Sequence, residues 1–231
     1  MASSCSSRMR SRKPVLATRT SLSAADGVVR EQVTGVILAG GRATRMGGTD
    51  KGLVPIAGRP MVAWVVDVLG SQVSEVLINA NRNHDRYGEF GSRIVDDGDT
   101  EFRGPLAGMA SGMRAARTPW IAVVPCDSPL IHGGLVARLY EAASASGSRI
   151  AAAHDGERLQ PVFALLACDL QDDLTGYLDD GERKIDRWYA RHRFESVDCS
   201  DMAESFANIN APEDKRLLEA ALAERAGSLQ K

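Results

Sequence analysis

The sequence predicts an α/β fold: a mostly parallel sheet with helices on both faces. Three observations lead there. Short apolar runs recur along the chain and alternate with longer segments whose apolar residues repeat every 3.6 positions. That alternation is the pattern of strands linked by crossover helices, which bury a parallel sheet from both sides. Polar residues also gather where the runs end, the place where such sheets bind ligands.

Taken in order, Val33–Leu38 reads as the first strand, and a glycine-rich loop from Ala39 to Gly52 follows it. Gly58-Arg59-Pro60 reads as a helix start, with Trp64, Val65, Val68 and Leu69 on one helical face. Val76–Asn79 and Arg93–Val95 are the next strands. Pro105–Ala116 is predicted helical, and Trp120–Val124 is a strongly apolar strand. Leu135–Ala145 reads as helix, and Ile150–Ala153 and Val162–Leu166 as strands. Leu170, Leu174 and Leu178 recur every four residues on a further helix. Lys184–His192 forms another predicted helix, Phe194–Val197 a strand, and Pro212–Ala226 a closing helix with proline at its start.

The 231 residues suit one domain, 33–226, followed by a short tail, 227–231. Residues 1–32 are rich in Ser and Arg, nearly free of acids before Asp26, and lack a continuous apolar stretch. They read as a disordered extension rather than a secretory signal. The net charge of -2 argues against a nucleic-acid surface, and no apolar run is long enough to predict a membrane span. Cys5, Cys126, Cys168 and Cys199 form no C-x-x-C pair, so a cytoplasmic protein is expected, with Cys126 and Cys168 as small buried hydrophobes.

The loop Leu38–Gly52 (LAGGRATRMGGTDKG) holds five glycines and two arginines, with Lys51 near its end. Glycines allow close backbone approach, so successive N–H groups can line an anion nest, and Arg45 and Lys51 add charge suited to a triphosphate. The spacing matches neither G-x-G-x-x-G nor G-x-x-x-x-G-K-[ST], since Asp50 precedes Lys51. Asn79 closes one strand, Asp96 and Asp97 another, and Asp127 follows the most apolar run, Trp120–Cys126. A carboxylate at the mouth of a buried strand needs a partner. Mg²⁺ takes one or two protein carboxylates, completed by water and phosphates, so Asp127 is a candidate ligand. The competing reading makes Asp127 an N-cap for the segment that follows it.

Gly104-Pro105-Leu106-Ala107-Gly108 is a turn into a helix whose small residues permit close approach of a base or ribose. Asn208 and Asn210 precede the closing helix, as ligand contacts or as Asx-type caps. His84, His132, His154 and His192 are scattered, so no zinc site is predicted, and no G-x-S-x-G elbow is present.

In this order, the segments LAGGRATRMGGTDKGL (38–53), NANR (79–82), GPLAG (104–108), CDSP (126–129) and FANINAP (206–212) resemble the molybdenum cofactor guanylyltransferase family of MobA-like nucleotidyltransferases. HDGER (154–158) and GERK (181–184) add to the resemblance, which covers about Val33 to Lys215. It implies a Rossmann-like three-layer sandwich of the nucleotide-diphospho-sugar transferase type, and transfer of GMP from GTP to molybdopterin with Mg²⁺. By position it implies that Leu38, Ala39, Gly40 and Gly41 line the GTP pocket and that Lys51 meets the phosphates. Asn79 and Asp97 would face the guanosine, Asp127 the metal, and Arg45 the leaving pyrophosphate. Asn208 and Asn210 would face the pterin acceptor, with Arg158, Arg183 and Lys184. Ser128 and Ala211 stand where threonine is more usual. Molybdoenzyme maturation proteins are further implied partners, and a monomer or weak oligomer is expected.

Three rival readings remain: a cytidylyltransferase on the same acceptor, a sugar-1-phosphate nucleotidyltransferase, and a non-catalytic nucleotide-binding module. LAGG and GPLAG favour guanine by resemblance alone. The short segment after Asp127 disfavours a sugar acceptor, and the presence of Arg45, Lys51 and Asp127 together favours an enzyme.

Overall fold

A computed structural model describes residues 24–39, 50–98 and 104–207. Among these, seven strands form one sheet, in the order β5-β4-β1-β6-β8-β7-β9. They are β1 (Val33–Leu38), β4 (Glu75–Asn79), β5 (Arg93–Val95), β6 (Trp120–Pro125), β7 (Ile150–His154), β8 (Leu159–Ala167) and β9 (Phe194–Asp198). Two short strands, β2 (Pro55–Ile56) and β3 (Arg59–Pro60), pair separately as a hairpin. All ladders of the large sheet are parallel except those of β8, which runs against both β6 and β7. The expected mostly parallel sheet is therefore present, with one reversed strand.

Side chains alternate between two cores, because successive strand residues point to opposite faces. On one face Val33, Ile37, Ala122, Val124, Phe163 and Leu165 pack with residues of α2 (Met61–Gly70) and α5 (Leu135–Ser146). On the other, Val36, Ile121, Val123, Ala164 and Leu166 meet α4 (Pro105–Ala115), α6 (Gln171–Asp179) and α7 (Ile185–Tyr189). Two glycines set how closely the layers approach. A Cβ at Gly35 of β1 would lie 2.7 Å from Leu69 Cδ2 of α2, and one at Gly112 of α4 would lie 2.8 Å from Val36 Cγ2.

The structure departs from the sequence reading in several places. Ala24–Gln32, grouped by composition with the disordered extension, forms helix α1. Its Val29 is buried in the core and Arg30 Nε donates to the Val73 carbonyl at 3.0 Å, so tertiary packing overrides the polar composition. Helix α2 starts at Met61, because Pro60 is held in β3 by pairing with Pro55. The predicted helix 184–192 shortens to α7, and a five-residue helix α3 (His84–Gly88) was too short to show periodicity. Cys126 and Cys199 are buried, whereas Cys168 is only half-buried. The expected closing helix 212–226 and the tail lie outside the described residues.

Candidate active site

The four parallel strands of one half end at a common edge. Leu38 stands opposite both Asn79 and Pro125, and Asn79 opposite Val95. The residues that follow stay in step: Ala39 N–H donates to Asn79 O at 2.8 Å, Ala80 N–H to Val95 O at 2.9 Å, and Cys126 N–H to Leu38 O at 3.1 Å. Along this edge the winding reverses, since β4 and β5 add on one side of β1 and β6 on the other. That is the switch point at which open α/β sheets bind ligands.

Lys51 and Asp127 meet there. Lys51 Nζ lies 3.2 Å from Asp127 Oδ2, with side-chain exposures of 34% and 15%. Asp127 sits in a turn and caps no helix, because α5 begins only at Leu135 after Gly134. The residue before Lys51 is held more tightly still. Asp50 is 4% exposed; its Oδ1 accepts from Arg82 Nε at 2.9 Å and also from Arg82 Nη2, while Oδ2 accepts from Asn83 Nδ2 at 2.7 Å. Hydrogen bonding to Asp50 raises the Arg82 pKa above its ordinary value. Asn83 adopts φ 53, in the left-handed region that asparagine tolerates better than most residues.

Lys51–Leu53 forms a 3₁₀ turn closed by Leu53 N–H to Asp50 O at 3.0 Å and Val54 N–H to Lys51 O at 3.1 Å. Gly52 is wedged behind it: a Cβ there would lie 2.9 Å from Tyr87 Oη and 3.2 Å from Cys126 Cβ. Burial raises the pKa of both the Tyr87 phenol and the Cys126 thiol, so neither supplies an anion beside the lysine at neutral pH.

A second network fixes Asn79 and Asp97. Asn79, 2% exposed, donates from Nδ2 to Asp97 Oδ1 at 2.7 Å. Asn81 grips the same residue twice, donating from Nδ2 to Asp97 Oδ2 at 2.7 Å and accepting the Asp97 N–H at 3.0 Å. Ser111 of α4 adds a 3.3 Å bond to Oδ1. Gly108 is required by this packing: a Cβ there would lie 2.7 Å from Leu38 Cδ2 and nearer still to Asn79 Oδ1.

The reversal of β8 brings its first residue to the same edge, since the β7–β8 turn follows His154 where β7, like β6, reaches its carboxyl end. Arg158 lies in that turn, braced by Asp155, whose carboxylate accepts the N–H groups of Arg158 and Glu157, each at 2.8 Å, and Gln160 Nε2 at 2.6 Å. Arg183 and Lys184 are placed differently, in the α6–α7 connection with local contacts. Arg183 Nη1 donates to the carbonyls of Leu178 at 2.7 Å and Glu182 at 2.6 Å, and Lys184 O accepts from Tyr177 Oη at 3.0 Å. Gly40, Gly41, Arg45, Asn208 and Asn210 lie outside the described residues.

Among the described residues no group of three or more His, Cys, Asp or Glu gathers as a metal cage. Asp50 has both oxygens engaged by Arg82 and Asn83, and Asp97 has both engaged by Asn79, Asn81 and Ser111, whereas Asp127 is paired through Oδ2 with Lys51. A single carboxylate fits a hard cation that keeps waters and binds chiefly through substrate phosphates. Residues 35–196 match the family model of the MobA-like NTP transferase domain. The chain belongs to the MobA-like NTP transferase family.

Within that family, the molybdenum cofactor guanylyltransferase of Shewanella sp. (strain MR-4) is 49% identical over 189 residues, spanning 82% of this chain and 96% of that relative. Molybdopterin-guanine dinucleotide biosynthesis protein A from Archaeoglobus fulgidus superposes with a TM-score of 0.70 at 20% identity, covering 83% of this chain and 99% of the other. The 4-diphosphocytidyl-2C-methyl-D-erythritol synthase from Anaerococcus prevotii superposes at 0.66 with 12% identity, covering 87% of this chain and all of the other. These two likenesses establish the fold, which is that of the nucleotidyltransferases. Sequence reading assigned no role to Asp50, Asn81, Arg82, Asn83 or Ser111 at the edge. Asn81 and Arg82 were visible within NANR, and Asp50 as the acid that breaks a P-loop pattern, but their pairing is a property of the folded chain.

Proposed function

We propose that this nucleotidyltransferase moves GMP from GTP to the terminal phosphate of molybdopterin, in the cytoplasm, releasing pyrophosphate and forming the guanine dinucleotide form of the cofactor. The observation that carries this reading is the Lys51–Asp127 pair at the switch point, in a chain 49% identical to a guanylyltransferase across 96% of that relative's length.

An acceptor phosphate oxygen forms the new bond to the α-phosphorus of GTP, and the bond from that phosphorus to the bridging α–β oxygen breaks. The acceptor is already ionised near neutral pH, so no strong general base is required. The protein's work is alignment and charge stabilisation, as in other phosphoryl transfers. Lys51 exchanges Asp127 for the phosphates as nucleotide arrives, and Arg45 joins it on the departing pyrophosphate. Leu38, Ala39, Gly40 and Gly41 line the nucleotide pocket. Asp97 faces the guanosine with Asn79, its carboxylate already oriented by Asn79, Asn81 and Ser111. Asp127 is the residue to hold Mg²⁺, which when bound supplies Lewis-acid polarisation of the phosphate oxygens. Arg158, Arg183, Lys184, Asn208 and Asn210 are the proposed acceptor contacts, with Arg158 favoured by its place in the edge turn.

The test is pyrophosphate release from GTP, CTP, ATP and UTP with Mg²⁺ and molybdopterin, beside an Asp127→Ala variant. The expected result is release from GTP alone, dependent on acceptor and lost in the variant. Preference for CTP would replace guanine by cytosine while keeping the chemistry. GTP binding without release from any nucleotide would leave a binding module in place of an enzyme.

A further inference from the structure

We propose that Asp50 and Arg82 are positioning residues for Lys51, and that the segment Asn79–Asn83 clasps the nucleotide site from both ends. The proposal rests on the nucleotidyl-transfer reading for the role of Lys51, but its geometry is independent of it.

The two ends of this short segment hold two partners. Asn79 and Asn81 hold Asp97, at the end of β5, through three hydrogen bonds of 2.7–3.0 Å. Arg82 and Asn83 hold Asp50, at the end of the glycine-rich loop, through both carboxylate oxygens. The residue that assigns the purpose is Lys51, the immediate neighbour of Asp50. A lysine ammonium rides on a flexible four-carbon stem, so its reach is set by where its backbone is fixed. Here the backbone is fixed on both sides. The Asp50 carboxylate is locked before Lys51, and Gly52 is wedged against Tyr87 and Cys126 after it.

Asp50 is buried while Arg82 remains partly exposed, at 36%. Taking a carboxylate out of water in this way is a poor device for stability alone, because hydrophobic replacements of similar volume often serve as well or better. It is a good device for fixing one backbone position in one arrangement, since breaking it leaves an uncompensated charge. Asp50 is also unsuited to bind metal or phosphate, with its oxygens already engaged. Its consequence for chemistry runs through Lys51: the clasp holds the lysine stem where the ammonium can swing between Asp127 and a phosphate.

The test compares affinities for GTP and guanosine, measured by displacement of a fluorescent GTP analogue, in wild type, Arg82→Gln, Arg82→Lys, Asp50→Asn, Lys51→Ala and the double variant Lys51→Ala/Arg82→Gln. Circular dichroism establishes that each variant is folded; if Arg82→Gln does not fold, Asp50→Asn and Arg82→Lys carry the comparison. The ratio of GTP to guanosine affinity should fall about tenfold in Arg82→Gln and Asp50→Asn, as expected for coupled neighbours. Arg82→Lys should recover part of it. In the Lys51→Ala background, Arg82→Gln should leave the ratio unchanged, because a residue that acts through the lysine has nothing left to position. Equal losses for GTP and guanosine, or an undiminished fall without Lys51, would overturn the positioning role and leave a structural ion pair. Wild type that prefers GTP, with a ratio that falls in Lys51→Ala but is unmoved in Arg82→Gln and Asp50→Asn, would overturn this inference alone. Wild type with no preference for GTP over guanosine would overturn the nucleotidyl-transfer reading and this inference with it.

Discussion

Lys51 Nζ and Asp127 Oδ2 stand 3.2 Å apart, so the cation proposed to meet phosphate and the carboxylate proposed to hold metal satisfy each other in the ligand-free protein. The pair is partly exposed, and pairs of that kind contribute little, about 0–1 kcal/mol. It is therefore easily exchanged.

Removing either partner has opposite effects on cation binding. Lys51→Ala should strengthen binding of Mn²⁺ to the nucleotide-free protein by up to about fivefold, because the competing ammonium is gone. The same substitution should weaken GTP binding and slow turnover. Asp127→Ala should lower the rate by about 10²–10³ or more, the usual cost of losing an electrostatic stabiliser. Electron paramagnetic resonance of free Mn²⁺ reads the first effect; near-wild-type turnover in Asp127→Ala would sink the metal assignment.

Tyr87 offers a test of stability. Its hydroxyl is buried and meets no hydrogen-bond partner among the described residues. Leaving such a group unpaired costs about 1–3 kcal/mol, and a phenylalanine in the same shape removes that cost. Tyr87→Phe should raise stability by roughly 1 kcal/mol, or about 2–4 °C in Tm for a chain of this size. A drop in Tm would show that the hydroxyl is well satisfied in solution.

Gly108 should tolerate no side chain. A methyl there would press on Leu38 Cδ2 at 2.7 Å and on Asn79 Oδ1. Gly108→Ala should destabilise by about 1–3 kcal/mol through overpacking. Because Asn79 orients Asp97, GTP affinity should fall as well. A urea midpoint unchanged from wild type would rule out the close approach.

The β7–β8 turn sets a pH signature. The N–H groups of Arg158 and Glu157, then Gln160, hold the Asp155 carboxyl at about 2, below its ordinary 3.8. A folded-state value below the unfolded one gives stabilisation that is present above pH 3.8 and is lost as pH falls toward about 2. In carbon-13 spectra the Asp155 carboxyl should remain ionised at about pH 3, where an ordinary aspartate is mostly protonated. Protonation with a midpoint at the ordinary value would mean the turn is open in solution.

Much of this fold was legible because its strands are short, mostly apolar runs. Val33–Leu38 and Arg93–Val95 fall where the sequence places them, and Trp120–Val124 gains only Pro125. Elements held by tertiary contact were not legible. Helix α1 owes its place to Val29 in the core, and the β2–β3 hairpin is two residues on each side, too short for any period. In the site, Lys51, Asn79, Asp97 and Asp127 were visible as polar groups following apolar runs or glycines. Arg82 and Asp50 were not, because 32 residues separate them and their complementarity exists only once β1 and β4 are side by side.

The reversed strand β8 divides the sheet into two blocks, β5-β4-β1-β6 and β8-β7-β9, joined by the single ladder between β6 and β8. A parallel neighbour would have required a long crossover to reach the ligand edge; a reversed one reaches it with a tight hairpin. The turn at 155–158 is therefore a module that can lengthen, shorten or change its side chains with no strand of the first block shifting register. On the proposed reading, a fold built this way can keep one donor and be retailored for new acceptors, loop by loop.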